Sequence, residues 1–359
     1  MKKLGLSLLG VGLLVAGCAS TPSTPLMAFA DTTISTKELD AEMTEMSMID
    51  SFQSMGRLGQ MPMGFGIGVH DDTASEEVLY LQETLGQIHE TMQAVHALRF
   101  YVVLEGDVFK TLAIAFEDQA LQFSEADAIA FNELVDTFSL TKTNVKRIYD
   151  EGKSIRQEMG SIIRSMNRPR TFDVTQITAL QTLADSLYET ILPLPELVSS
   201  MLDHVQAGQA LLEPYFLEGT SPITLETREQ LQRIYGLKDQ LDEKQVLLRQ
   251  NALAIREAIQ TIRETLAALN DAGVSLTAED QAQLNLLRIT LQNRMENHRD
   301  QREGMRSLFK SLRGNVRVEF LDTIEEKFTL INEALDETML TSQAWLATLQ
   351  QWVLTLAAY

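Results

Sequence analysis

The chain has 359 residues, 45% of them apolar, with 8 Pro, one Cys and a formal net charge of −20. That length and apolar content supply a substantial core and exclude an intrinsically disordered chain, while a lone Cys excludes disulfides, CxxC redox centres and zinc–cysteine sites. The charge repels phosphate backbones and anionic headgroups, so nucleic acid is excluded as a partner through general electrostatics.

Lys2 and Lys3 precede an apolar run from Leu4 to Val15 that is too short to span a bilayer and is shaped like the hydrophobic region of a secretory signal. The run ends in Val15-Ala16-Gly17-Cys18. These residues resemble the lipobox of bacterial lipoproteins. The resemblance implies that the Cys18 thiol is diacylglycerated, that residues 1–17 are cut away as a signal peptide, and that the body is held by lipid on the extracytoplasmic face of a membrane. Loss of Lys2 and Lys3 would take the charge to −22 (−20 minus 2). Ala19 is not the aspartate associated with inner-membrane retention, which leaves cell membrane and outer membrane both open as the address.

Residues 18–72 read as a connecting region. From Ala19 to Thr33 the chain is rich in Ser, Thr, Pro and Ala, the composition of a flexible tether. Ser35 or Thr36 then caps a short helix with Leu39, Met43, Met46 and Ile49 on one face. Gly56, Gly59, Gly64, Gly66, Gly68 and Pro62 break any helix beyond it. Met43, Met46, Met48, Met55, Met61 and Met63, with His70 just beyond, are candidate soft ligands for Cu(I). The competing reading has Met43 and Met46 packing the short helix and the others forming an oily loop.

Two apolar columns define the body. Leu81, Ile88, Val95, Val102, Phe109 and Phe116 stand seven apart and predict a helix from about Ala74 to Gln122. Ile234, Leu241, Leu248, Ile255, Ile262 and Leu269 do the same 153 positions later. At that offset Asp118 matches Asp271, Ser124 matches Thr277, Asp127 matches Asp280, Asn132 matches Asn285 and Asn144 matches Asn297. Ser124-x-x-Asp127 and Thr277-x-x-Asp280 read as paired helix N-caps, and Asn270-Asp271-Ala272-Gly273 as a helix stop. Helices then end near Met166, run from Val174 to Leu192, and resume past Pro193 and Pro195 to Phe216. In the second half Leu321, Ile324, Phe328, Ile331 and Leu335 define a third helix, and Trp345, Leu349, Trp352 and Val353 a fourth. The expectation is an all-α, elongated, antiparallel, coiled-coil-like bundle of two duplicated units, 73–218 and 222–359, of about four helical segments each.

Chemistry is sparse. His89 and His96 share a helix face but lie roughly 10 Å apart, too far to ligate one ion. No His follows a Glu by three residues, and HExxH, G-x-S-x-G and P-loop patterns are absent. Arg294, His298 and Gln301 place polar groups in the apolar seam of the second unit and are candidate ligand contacts, with a register layer as the competing reading. Trp345 and Trp352 read as packing residues. No cofactor and no catalysis are expected. The functional expectation is an envelope scaffold or protein-interaction module with an envelope protein as partner, and the alternative is a metal- or small-ligand-binding lipoprotein.

Overall fold

A computed structural model describes residues 25–34, 72–166, 174–287, 312 and 316–359. The fold is all-α, with no strand among the described residues. Its helices are α1 (Pro25–Ile34), α2 (Asp72–Asp118), α3 (Glu125–Met166), α4 (Val174–Ile191), α5 (Leu194–Leu212), α6 (Leu225–Asp271) and α7 (Leu321–Ala357), and a further helical stretch is described over 278–287. No described helix is long and apolar enough to cross a membrane.

The first unit is three antiparallel rods. Leu81, Ile88, Val95, Val102, Phe109 and Phe116 are all buried, so the heptad column of α2 is its core seam. α4 and α5 each pack on both α2 and α3, which makes them successive pieces of one rod lying in the groove between those helices. The rod breaks because Pro193 has no N–H to give the ladder, and α5 restarts with Pro195 in its first turn. Thr84 donates to Asp185 at 3.2 Å and Gln209 to Glu105 at 2.8 Å, so the third rod runs parallel to α2.

The second unit repeats this plan. α2 and α6 are each 47 residues long, and both ends of α6 lie 153 positions beyond those of α2. The helix stops match bond for bond. Leu121 N–H donates to Phe116 O and Val274 N–H to Leu269 O, while Ala120 N–H donates to Glu117 O and Gly273 N–H to Asn270 O. Both form a left-handed cap, with Ala120 at φ 51° and Gly273 at φ 71°. The next helices begin alike. Ser124 Oγ accepts from Asp127 N–H, and Thr277 Oγ1 from Asp280 N–H, each at 3.1 Å. A tyrosine closes each cap from the end of its own unit: Tyr215 hydroxyl bridges Ser124 N–H and Asp127, and Tyr359 hydroxyl bridges Thr277 N–H and Asp280.

Two expectations are corrected. The third and fourth segments of the second unit are one helix, because no Pro interrupts 321–357 and buried Thr338 and Ser342 satisfy their hydroxyls on the preceding turn. The supposed tether from Ala19 to Thr33 contains α1, whose Leu26, Phe29 and Ala30 are buried against the bundle. Tertiary burial of these three side chains outweighs the Ser/Thr/Pro composition around them. The short helix placed after Ser35 lies outside the described residues.

The units lie side by side. α6 runs antiparallel to α2: Arg249 meets Gly86 and Glu90, Gln93 meets Gln245, Tyr101 meets Asp239 and Glu105 meets Tyr235. Gln245 is one residue short of Val246, the counterpart of Gln93, so a local two-fold axis passes close to this pair. α7 runs parallel to α6, tied by Arg233–Glu325 at 2.7 Å and Lys244–Asp336 at 2.8 Å. Phe100 of α2 packs against Phe328 of α7 with ring centroids 5.1 Å apart and planes tilted by 60°, which joins the second unit to the main core.

The duplicated caps make two predictions. A Cβ at φ 71° is disfavoured by about 1 kcal/mol, so Gly273→Ala should lower stability by that amount and Ala120→Gly raise it by about 0.5 kcal/mol, read by urea unfolding. Asp127 and Asp280 are held below the usual carboxylate pKa, first by Ser124 and Thr277 and then by the two tyrosines. Their contribution is therefore present above about pH 4 and lost as pH falls through the lowered values, and NMR titration of Ser124→Ala and Thr277→Ala should show each carboxyl return upward.

Candidate functional site

A buried polar cluster lies where α2, α5 and α6 meet. Glu105 is 9% exposed on a helix whose neighbouring Val102, Leu104, Val108 and Phe109 are core residues. A carboxylate there is tolerable only if each oxygen is matched. Tyr235 hydroxyl donates to Oε1 at 2.6 Å, and Gln209 Nε2 donates to Oε2 and to the Glu105 carbonyl, each at 2.8 Å. Burial first, and then the Glu105 carboxylate, hold the Tyr235 phenol far above its ordinary pKa, so it stays a donor.

The cluster continues along the junction. Tyr101 packs its ring edge-on to Tyr235 at 5.2 Å and donates to Asp239. Lys238, 7% exposed, pairs with Asp242 and lies 6.0 Å from the Tyr101 ring. Burial raises the Asp242 carboxyl against the pull of Lys238. Nearer the end of α2, the Asp107 carboxylate accepts from Val318 N–H at 2.7 Å and so fixes the entry to α7. Burial raises that carboxyl too, opposed by the same hydrogen bond.

Both carboxylate oxygens of Glu105 are taken up inside the protein, and Tyr235 and Gln209 spend their donors on it. The arrangement locks the register of the two units. Within these three residues no base is poised beside a nucleophile. Among the described residues no group of three or more His, Cys, Asp or Glu side chains is placed to hold a metal.

The residues singled out by sequence fall elsewhere. Cys18, Met43, Met46, Met48, Met55, Met61, Met63 and His70, and likewise Arg294, His298 and Gln301, lie outside the described residues. His89, His96 and His204 are half-buried and not brought together. His89 is lowered by burial, then by Arg249, with Glu90 opposing. His204 Nδ1 is spent on the Ser200 carbonyl of its own helix. Trp345 and Trp352 are 8% and 9% exposed and pack the second unit, as their spacing indicates. Glu105 and Tyr235 were not anticipated; the available signal was two acidic residues, Glu105 and Asp107, set inside the apolar run 102–109.

If the cluster is a register lock, Tyr235→Phe and Glu105→Gln should each cost about 1–3 kcal/mol in urea unfolding, and the double mutant clearly less than their sum. No family model matches this chain, and no match is found among curated proteins or solved structures.

Proposed function

We propose that this is a lipid-anchored, extracytoplasmic helical-bundle lipoprotein that works as a scaffold or protein-interaction module of the cell envelope. The address rests on the charged start, the short apolar run and Val15-Ala16-Gly17-Cys18. The mode of action rests on one observation: the polar groups at the junction of the two units are consumed by each other, so the long rods have surface to offer rather than a reactive cleft. A net charge of −20 directs that surface toward basic partners and away from phosphate-rich ones.

Docking of α1 refines the reading. Only six residues, 19–24, separate Cys18 from α1, and at full extension they span at most roughly 20 Å. The anchored body therefore stands close to the headgroups instead of at the end of a long leash. In cells given a clickable fatty acid, the parent chain should be labelled and Cys18→Ser should not. Crosslinking in intact envelopes should recover a specific protein partner with the parent, and Cys18→Ser should lose that partner together with its membrane association. Retention of the label by Cys18→Ser would sink the anchor, and recovery of a bound metal or small molecule with no protein partner would sink the scaffold.

A further inference from the structure

The duplication allows one unit to be compared with the other, and the largest change of side-chain size among their aligned buried positions falls at Gly208. The buried positions of α5, namely Leu194, Val198, Met201, Val205, Gly208 and Leu212, recur on α7 at an offset of 144 as Thr338, Ser342, Trp345, Leu349, Trp352 and Leu356. The two cap-closing tyrosines, Tyr215 and Tyr359, share that offset. Gly208 thus stands where the second unit has Trp352. Its neighbour across the bundle is Phe109, whose counterpart at an offset of 153 is Ile262, and Ile262 packs in one cluster with Trp352.

In the second unit the third rod fills this space with its own indole. In the first it leaves the space open. Phe29 of α1 occupies it: the ring is 2% exposed and meets Phe109 and Phe138 at 5.0 Å and Phe131 at 5.7 Å, edge-on in each case. A Cβ built on Gly208 would lie 2.9 Å from the Phe109 ring and 3.6 Å from that of Phe29. The Cβ itself would press on Phe109 and only touch Phe29; a side chain as large as an indole at this position would take the space that the Phe29 ring fills.

We propose that α1 is a releasable strap, and that the Gly208 socket is the acceptor built for its Phe29. A ten-residue helix has no stability of its own in water. Among its described side chains Leu26, Phe29 and Ala30 are buried and Met27 is partly buried, and the entropy of ordering ten residues opposes that gain. Release uncovers one flank of α2, so the released state is the minor one, while the α4–α5 rod keeps its own contacts with α2 and α3. It also changes reach, a consequence that rests on the lipid-anchor reading. With α1 docked, six residues join Cys18 to the body; with α1 free, residues 19–34 all belong to the connection, and those sixteen extend at most roughly 55 Å. The strap is a two-position spacer between membrane and bundle.

Hydrogen exchange on the full chain tests the strap. In the parent, amides of 25–34 should exchange through an opening that leaves α2 and α3 protected. Phe29→Ala should speed exchange of 25–34 by at least about tenfold with α2–α5 unchanged. Gly208→Trp, which imports the solution of the second unit, should do the same, and if that variant does not fold, Phe29→Ala decides alone. Exchange of 25–34 only together with global unfolding of α2, or unaltered protection in Phe29→Ala, would overturn the proposal. Reach is read separately by energy transfer from a dye on Thr143→Cys to a headgroup dye in phosphatidylethanolamine–phosphatidylglycerol vesicles. Phe29→Ala should lower transfer, and unchanged transfer in vesicle-bound protein would refute the two-position spacer. A parent chain that does not bind the vesicles at all would count against the anchor and leave the strap to the exchange result.

Discussion

The structure depends on α2 being covered on every flank. From Val95 to Ala113 no residue of this helix is exposed. A helix with apolar residues on this many of its faces is covered all round, and each other element is part of the covering. α3 and the α4–α5 rod close two flanks, α1 lies along α2 and reaches across to α3, and α6 with the start of α7 covers the remainder. The few polar groups on α2 then dictate where the wrapping can sit. Glu105 admits α5 and α6 only in the register that gives its two oxygens Gln209 and Tyr235, and Asp107 admits the α7 entry only where Val318 offers its N–H.

Much of this was legible in the chain because heptad columns and caps are local signals. The first apolar column is buried throughout and the second is buried or half-buried, and the stop at Gly273 and the hydroxyl–carboxylate caps at Ser124 and Thr277 occupy the places their spacing assigns. α1 was not legible, since composition averaged over fifteen residues hides one aromatic anchor; its trace is Leu26, Phe29 and Ala30 at spacings of three and four. The continuity of α7 was masked by Thr338 and Ser342, which look like a break in an apolar pattern and are buried hydroxyls bonded to their own helix.

The polar junction between the units was harder to read, for a physical reason. On a long heptad helix a single Glu or Tyr looks like a solvent-facing residue, and only the antiparallel docking of α6 on α2 turns Glu105 and Tyr235 toward each other across 130 positions of sequence. Gly208 carried no signal either. A glycine within α5 reads as a mild helix weakener until the two units are aligned and Trp352 appears in its place. Repeats in sequence locate equivalent positions, and the contrast between them carries the information.

The near-two-fold pairing around Gln93 and Gln245 has a further consequence. Two copies that met as separate molecules would be held by concentration and obliged to stay alike, because every substitution would be felt on both sides of the axis. Joined through a connector of a dozen residues, 213–224, the halves remain partners at any dilution and are released from that symmetry. One half has become free to hollow itself at a single point while its sibling stayed solid.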